Sequence, residues 1–261
     1  MALTCEKTPA RANVTTLPIV AVCSNDSASS GSGFESAGTF WGHLGLRFAG
    51  NAKSKWYPLS SEEADRVRSN LRRSQDVNEW LVVETMNNHT LAFRPKQLQR
   101  IWLLDDACDA PEGDFDREAP WHDWEGLPAE IYLAMADWAD GNCSGKGGPK
   151  SAYSKAIQKA AVSMIQQAGL MNRPDDVRSA LQHTTVHFTD GSTTHYEVNP
   201  ENLLALAELD DEPDTQVVEI SASENDFESF YPASALTMID IPTIELYAVR
   251  LEMWGPDYLS A

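Results

Sequence analysis

The sequence predicts an α+β protein built from two tandem small antiparallel β-β-α-β-β repeats. Each repeat is expected to form a curved sheet or a small-barrel-like unit, and an α-helical insert separates the two. A recurring phrase is the first observation behind this prediction: Phe-x-Pro, then Leu, then Ile spans Phe93–Ile101 and returns as Phe-Tyr-Pro at Phe230–Ile239. The second is that a helix-starting residue precedes each phrase, Ser60 in one case and Asn199 in the other.

The first repeat, residues 41–104, is predicted to begin with two strands, LGLRF and KWYPL. A helix follows, because Ser60 and Glu63 have the spacing of a capping box. Ala64, Val67 and Leu71 then recur on one helical face. The strand WLVVE, the Phe-x-Pro strand and a short strand at Ile101 complete the repeat.

The second repeat, residues 184–261, has the same predicted order and is expected to end in a C-terminal strand. The strands TVHF and HYEV flank the turn TDGS, and Asn199 with Pro200 suits the N-cap and first position of a helix. A sheet of about 60 residues is marginally stable alone, so two copies are expected to share a core. The sequence leaves open whether the copies pack within one chain or between chains.

Two further segments complete the expected organisation. Residues 1–40 are predicted to be a flexible arm with a Ser/Gly-rich linker, since they show no hydrophobic period. Residues 105–183 combine an acidic loop with three helices, the first two of which place Ile131, Met135 and Trp138, and Tyr153, Ile157 and Ile165, at helical spacing.

Composition limits the environment of the protein. The formal net charge is -19, which disfavours binding to nucleic acid or anionic membrane by the chain as a whole. Apolar runs all fall short of the roughly 18 residues of a membrane span. The four cysteines are scattered and form no Cys-x-x-Cys pair, as is typical of a reduced, cytoplasmic protein.

Charge is distributed unequally between the two repeats. Residues 45–104 contain ten basic and six acidic residues, a net charge of +4, whereas residues 184–241 contain no basic and 13 acidic residues, a net charge of -13. Sequence drift at two solvated surfaces would produce this charge difference without any function. Alternatively, the repeats face each other, or a neighbouring chain, through complementary charge, or the first repeat binds an anionic partner.

A histidine pair is the first candidate site. A three-residue loop, Asp190–Ser192, would place His187 directly across from His195 while keeping apolar residues on one face. Two adjacent imidazoles could begin a metal site or a pH-sensitive contact. No third ligand is apparent, and the first repeat has Arg47 and Trp56 in roughly these places, so no metal or other cofactor is assigned.

A nucleic-acid surface on the first repeat is the second candidate. Basic grooves with stacking rings bind single strands, and the first repeat combines bases with aromatic residues. The residues proposed for this surface are Arg66, Arg72, Arg73, Arg94, Lys96 and Trp56. The competing interpretation is that Trp56 belongs to the core and the arginines to the wet face of a helix.

Function is constrained mainly by the lack of recognised catalytic motifs: Gly-x-Ser-x-Gly, His-Glu-x-x-His and Gly-x-Gly-x-x-Gly do not occur. The sequence therefore favours a non-catalytic interaction or regulatory protein that self-associates or binds a protein partner. RNA or single-stranded DNA binding through the basic repeat is one alternative. An enzyme with its site between the repeats is the other, because clefts form at such junctions.

Overall fold

The structure, a computed structural model, describes residues 39–51, 54–73, 80–105, 124, 127–143, 153–211, 215–222 and 227–254. Most of the predicted N-terminal arm and most of the acidic loop lie outside these residues, and Phe40, predicted to belong to the arm, begins the first strand. The strands are β1 (Phe40–Phe48), β2 (Lys55–Ser60), β3 (Leu81–Glu84), β4 (His89–Phe93), β5 (Leu98–Asp105), β6 (Thr184–Phe188), β7 (Thr193–Tyr196), β8 (Val217–Ala222), β9 (Phe227–Pro232) and β10 (Leu236–Pro242). The helices are α1 (Ser61–Arg73), α2 (Ala129–Cys143), α3 (Lys155–Gln167), α4 (Pro174–Gln182), α5 (Pro200–Ala207) and α6 (Thr243–Trp254).

The α+β class is confirmed, since helices and antiparallel sheets are both present. The strands form three sheets in the orders β2-β1-β5, β3-β4-β10-β6-β7 and β8-β9. None of these sheets closes into a barrel among the described residues, so the barrel-like form expected for each repeat is not observed. No described helix combines the length and apolarity required to cross a bilayer.

Strand pairing follows one scheme in residues 40–105, here called unit one, and in residues 184–242, here called unit two. In unit one the first strand lies between the second and the last, and the third pairs with the fourth. In unit two β6 likewise lies between β7 and β10, and β8 pairs with β9. A register shift also occurs near the start of the last strand in both units. In β5 it lies between Leu98 and Arg100, which pair with Phe48 and Arg47, and in β10 it lies between Leu236 and Met238.

The two prolines of the recurring phrase are not structural equivalents. A short 3-10 turn precedes the last strand in each unit, Pro95–Gln97 in one and Ala233–Ala235 in the other. Leu98 and Leu236 follow these turns directly, so Pro95 corresponds to Ala233 and Arg94 to Pro232. The alignment on proline is therefore wrong by one residue, whereas the spacing from Leu to Ile is preserved.

The units are joined by pairing between β4 of unit one and β10 of unit two, from Phe93 opposite Met238 to His89 opposite Pro242. The two faces of this shared sheet enter different cores. Met238, from unit two, is fully buried among the apolar residues of unit one, and Ala92, from unit one, is fully buried among those of unit two. Each unit therefore completes the core of the other.

A helix, α6, follows β10 where a C-terminal strand was predicted. Its first turn is capped from unit one: the Asn88 side-chain oxygen accepts a hydrogen bond from the Ile244 backbone N–H at 2.9 Å, and the Asn88 carbonyl accepts one from the Thr243 N–H at 3.1 Å. Asn88 adopts a left-handed φ of 69°, which asparagine tolerates better than most residues. This cap is separated from its helix by 156 residues, so local sequence does not indicate it.

The predicted helical insert is present, and its third helix contacts unit two. Helices α2, α3 and α4 enclose their own apolar cluster around Met135, Ile165 and Leu181. Arg178 of α4 donates a hydrogen bond from Nη2 to Glu197 Oε2 at 3.0 Å and lies 3.6 Å from the Asp140 carboxylate of α2. The insert therefore covers one side of unit two rather than projecting away from it.

Candidate binding site between the two units

A cavity of about 410 Å³ lies where unit one, unit two and the helical insert meet. Unit one contributes side chains from β2 and β4, unit two from β6, β7 and β10, and the insert from α4 and the turn before it. Four of the six histidines in the chain line this cavity: His89, His183, His187 and His195. These four residues come from three different parts of the sequence, and only the tertiary structure brings them together.

The central contact is a hydrogen bond between the side chains of His89 of β4 and Asp240 of β10. Imidazole Nδ1 lies 2.8 Å from the Asp240 Oδ1 atom, and both side chains are largely buried. An ionised carboxylate only accepts hydrogen bonds, so Nδ1 of His89 carries the proton in this contact. Nε2 is thereby left as the remaining ring nitrogen, able to accept when the imidazole is neutral and to donate when it is charged.

The environment of Asp240 favours its ionised form. Burial by itself raises the pKa of the Asp240 carboxyl, but the charge of His89 and its hydrogen bond, with smaller contributions from His187 and Lys55, outweigh burial. The pKa therefore lies below its ordinary value. A buried, ionised carboxylate held by basic groups is a fixed negative charge in the floor of the cavity.

His187 and His195 line the same cavity, but not as the directly opposed pair that was predicted. The register places His187 opposite Thr193 and His195 opposite Thr185. The loop does have three residues, but they are 189–191, because Gly191 takes the left-handed position with a φ of 85°. The Phe188 N–H donates to the Ser192 carbonyl at 3.0 Å, and the Phe188 carbonyl accepts from the Gly191 N–H at 3.1 Å. The two histidines are therefore diagonal neighbours on one face of the sheet.

Each of these histidines has a definite contact. His187 is buried and stacks on Phe48 of unit one, with ring centroids 5.1 Å apart. His195 is exposed, and its Nδ1 atom lies 2.9 Å from the Thr185 hydroxyl. One imidazole therefore lies at the floor of the cavity and one at its rim.

The remaining charges at the cavity come in balanced numbers. Lys55 and Arg173 line it together with Asp176 and Asp240, and Arg173 forms an ion pair with Asp176. The formal charge of the lining is thus zero with all four histidines neutral, and each protonation adds one positive charge. This site is therefore much less acidic than a chain of net charge -19 would lead one to expect.

The equivalent surface of unit one is filled by indole rings. Strand register makes Trp56 the counterpart of His195 and Trp102 the counterpart of Asp240. The two indoles lie 6.4 Å apart, and Gly45, the counterpart of Thr185, is required there because an added Cβ would come within 2.7 Å of the Trp56 ring. Corresponding strand positions therefore carry packed indole rings in unit one and polar side chains that line the cavity in unit two.

The cavity is not a preformed metal centre. Among the described residues, no three His, Cys, Asp or Glu side chains are arranged to hold a metal ion. The imidazoles instead contact a carboxylate, a hydroxyl and an aromatic ring, as described above. The cavity is therefore lined with polar and ionisable side chains that contact other groups of the protein.

The residues proposed for nucleic-acid binding occupy different environments. Trp56 is only 4% exposed, so its ring is not accessible to a base. Arg66 bonds to Glu63 at 2.8 Å and also to the Val82 carbonyl, and Arg94 donates from Nη1 to the Ala233 carbonyl at 2.8 Å. The exposed members of the set are Arg72 and Arg73 at the end of α1 and Lys96 in the turn before β5.

Sequence reasoning missed His89, His183 and Asp240 as site residues. Asp240 left a weak signal, because it is the single charged residue in the strand LTMIDIP and shares the strand face of Met238. His89 and His183 are isolated in sequence and gave no such signal.

No protein-family model matches this chain, and no curated protein or solved structure shows significant similarity to it.

Proposed function

We propose that the protein is a non-catalytic regulatory protein that binds a small anion, such as a carboxylate or phosphate compound, in the cavity between the units. The observation that carries this proposal is the convergence of four histidines, Lys55 and Arg173 on one cavity of about 410 Å³ in a strongly acidic chain. Pockets of this size suit small molecules. Lys55 and Arg173 balance the charges of Asp240 and Asp176, so protons on the histidines would attract an anion.

Binding would also couple parts of the molecule. A ligand in the cavity would contact unit one, unit two and the insert at once, and so would stabilise their relative arrangement. A ligand that binds one arrangement better than another shifts the population toward it. Such coupling is the physical basis for a regulatory function, with a protein partner or a second copy of the chain as the responding component.

The test is a titration with inorganic phosphate and with succinate, followed by the imidazole signals of the intact protein in NMR spectra. We expect saturable shifts at the cavity histidines that strengthen as pH falls, because protonated imidazoles attract anions. Lys55→Gln and Arg173→Gln should weaken the response. Lys159→Gln, which removes an exposed charge from α3, is the matched control. Equal weakening by all three variants, or no saturable shift with either probe, would refute the proposal.

An enzyme is the second candidate, favoured by the His89–Asp240 pair. A carboxylate that orients an imidazole through Nδ1 leaves Nε2 placed for general acid–base catalysis. The cavity also contains the hydroxyl-bearing residues Tyr57, Ser179 and Thr193. Turnover of a carboxylic ester or a phosphate monoester that disappears in His89→Gln, while phosphate binding survives, would establish this function in place of the first.

Nucleic-acid binding through unit one is less well supported than either. Three of its six proposed residues are engaged in the fold, since Trp56 is buried and Arg66 and Arg94 bond to other elements. The double substitution of Arg72 and Arg73 by Glu tests the exposed arginines of the proposed nucleic-acid surface. Salt-sensitive binding of single-stranded RNA that is lost in this variant would restore the hypothesis.

A further inference from the structure

Among the residues that the structure describes, the joint between the two units leaves one complementary pair of strand edges unpaired. Within the chain, β4 of unit one pairs with β10, the last strand of unit two. The structural counterparts of these two strands are β9 of unit two and β5, the last strand of unit one. Among the described residues β9 pairs only with β8 and β5 only with β1, so the two edges do not meet.

Side-chain exposure differs between the strands that pair in the joint, β4 and β10, and their unpaired counterparts, β9 and β5. In the joint, Ala92 and Ile239 face each other and are both fully buried. Their counterparts are Phe230, whose side chain is 59% exposed, and Ile101, which is partly exposed. An exposed Phe on an open strand edge is a feature that soluble proteins usually avoid unless the edge has a partner.

Strand β9 is held in position by contacts on one of its two faces. Tyr231 contacts the ring of Phe188, with centroids 5.2 Å apart, and its hydroxyl bonds to the Tyr196 hydroxyl. Side chains alternate along a strand, so Phe230 is directed away from this contact. A strand that is anchored on one face, and that presents an exposed Phe and an exposed Glu on the other, is preorganised to accept another strand along its edge.

We propose that β5 of one chain pairs antiparallel with β9 of a second copy of the same chain, so that the strand pairing of the internal joint, though not its side-chain packing, is repeated between molecules. The register carried over from the joint sets Ile101 opposite Phe230 and Leu103 opposite Glu228. The assembly is head-to-tail, and such contacts generate a ring or an open fibre. This inference does not depend on the cavity or its ligand.

Charge favours this partner over a symmetric pairing of like edges. Within unit one, residues 45–104 have a net charge of +4, and within unit two, residues 184–241 have a net charge of -13. Two β9 edges facing each other would bring two copies of the acidic unit together, whereas β5 against β9 joins opposite signs. Arg100 of β5 and Glu228 of β9 are both exposed, Arg100 on the strand face opposite to that of Ile101 and Glu228 on the face of Phe230.

One hydrogen bond of the internal joint cannot be reproduced. In the joint, the Arg94 N–H donates to the Thr237 carbonyl at 3.1 Å. The counterpart of Arg94 is Pro232, which has no N–H, so the bond to Gln99 is lost. The backbone N–H and C=O groups of successive residues point to alternate edges of a strand. Those of Ile101 and Phe230 point to the open edges, where pairing takes place.

The experiment measures the mass of the intact protein and of edge variants by light scattering after size exclusion. Wild type is expected to exceed the mass of one chain. Phe230→Glu on β9 should abolish assembly, whereas Val217→Glu, at an exposed apolar position of the neighbouring strand β8, should not. Ile101→Pro should block β5, since it removes an N–H that faces the edge; Lys96→Glu with Arg100→Glu is a second β5 variant in case proline impairs folding. Far-UV circular dichroism and thermal unfolding verify that each variant is folded.

Mixing the two kinds of variant gives the decisive result. A β5 variant retains an intact β9, and Phe230→Glu retains an intact β5, so the mixture is expected to form a heterodimer of two chains and to grow no further. Assembly of the β5 variant alone would indicate β9–β9 pairing and overturn the proposal. A wild-type protein that stays at the mass of one chain at all concentrations would overturn it as well.

Discussion

Asp240 shows how one residue acquires its properties from three strands. It lies on β10 between β4 and β6, with Leu91 opposite on one side and Thr185 on the other. An isolated carboxylate at this buried position would be destabilising, but the His89 contact converts it into a charged hydrogen bond. The same residue therefore links unit one to unit two and provides the fixed charge of the cavity.

Replacing Asp240 by Asn should lower the free energy of unfolding by about 1–2 kcal/mol at neutral pH, since a hydrogen bond to a charged group is lost. The folded pKa is lowered, so the stabilisation is present above the unfolded pKa and is lost as pH falls through the folded pKa. The difference between wild type and variant, measured by urea unfolding, should therefore shrink below about pH 4. Glu208→Gln, which removes an exposed carboxylate, is the control. A difference that grows on acidification would contradict this account.

At the scale of an element, α6 depends on a cap that another unit supplies. Helix ends expose N–H groups that require acceptors, and the side chain and carbonyl of Asn88 provide two of them. Asn88 also occupies a left-handed backbone conformation. Its two roles can be separated by substitution, because glycine tolerates the conformation and lacks the cap.

Asn88→Gly should destabilise the protein by about 1 kcal/mol through loss of the side-chain cap. Asn88→Ala should cost about 1 kcal/mol more, since alanine is strained at positive φ. Urea unfolding of both variants gives the comparison. Equal losses would show that backbone strain has no part in the effect, and no loss in either would show that the cap contributes nothing.

At the scale of the whole molecule, the shared sheet makes the units interdependent. Unit one buries Met238 of unit two, and unit two buries Ala92 of unit one. Neither core is complete without a strand from the other unit. We therefore expect the two units to unfold together rather than one after the other.

Met238→Ala should lower the free energy of unfolding by about 2–5 kcal/mol, as expected for a truncated core side chain. Met171→Ala, at a residue 39% exposed, should have little effect. Tryptophan fluorescence, which includes Trp56, Trp80 and Trp102 of unit one, and far-UV circular dichroism should report coincident transitions. Two separated transitions would contradict the interdependence of the units.

Local sequence determined much of the secondary structure. The first helix begins where its capping box is, with the Glu63 N–H donating to Ser60 Oγ at 3.2 Å, and buries Ala64 and Val67. Asn199 and Pro200 likewise begin α5. Caps and apolar periodicity depend on neighbours within a few residues, and for that reason these elements could be predicted.

Only the tertiary structure decided the register, the joint and the site. The β6–β7 register depended on which loop residue takes the left-handed conformation, and α6 on a cap 156 residues away. The cavity joins Lys55 to Asp240 across all three parts of the chain. The sequence by itself determined two similar successions of strands and helix with opposite net charge. Strand pairing between the two units decided which polar groups meet in the cavity. That pairing depends on packing between distant segments, which no local sequence pattern encodes.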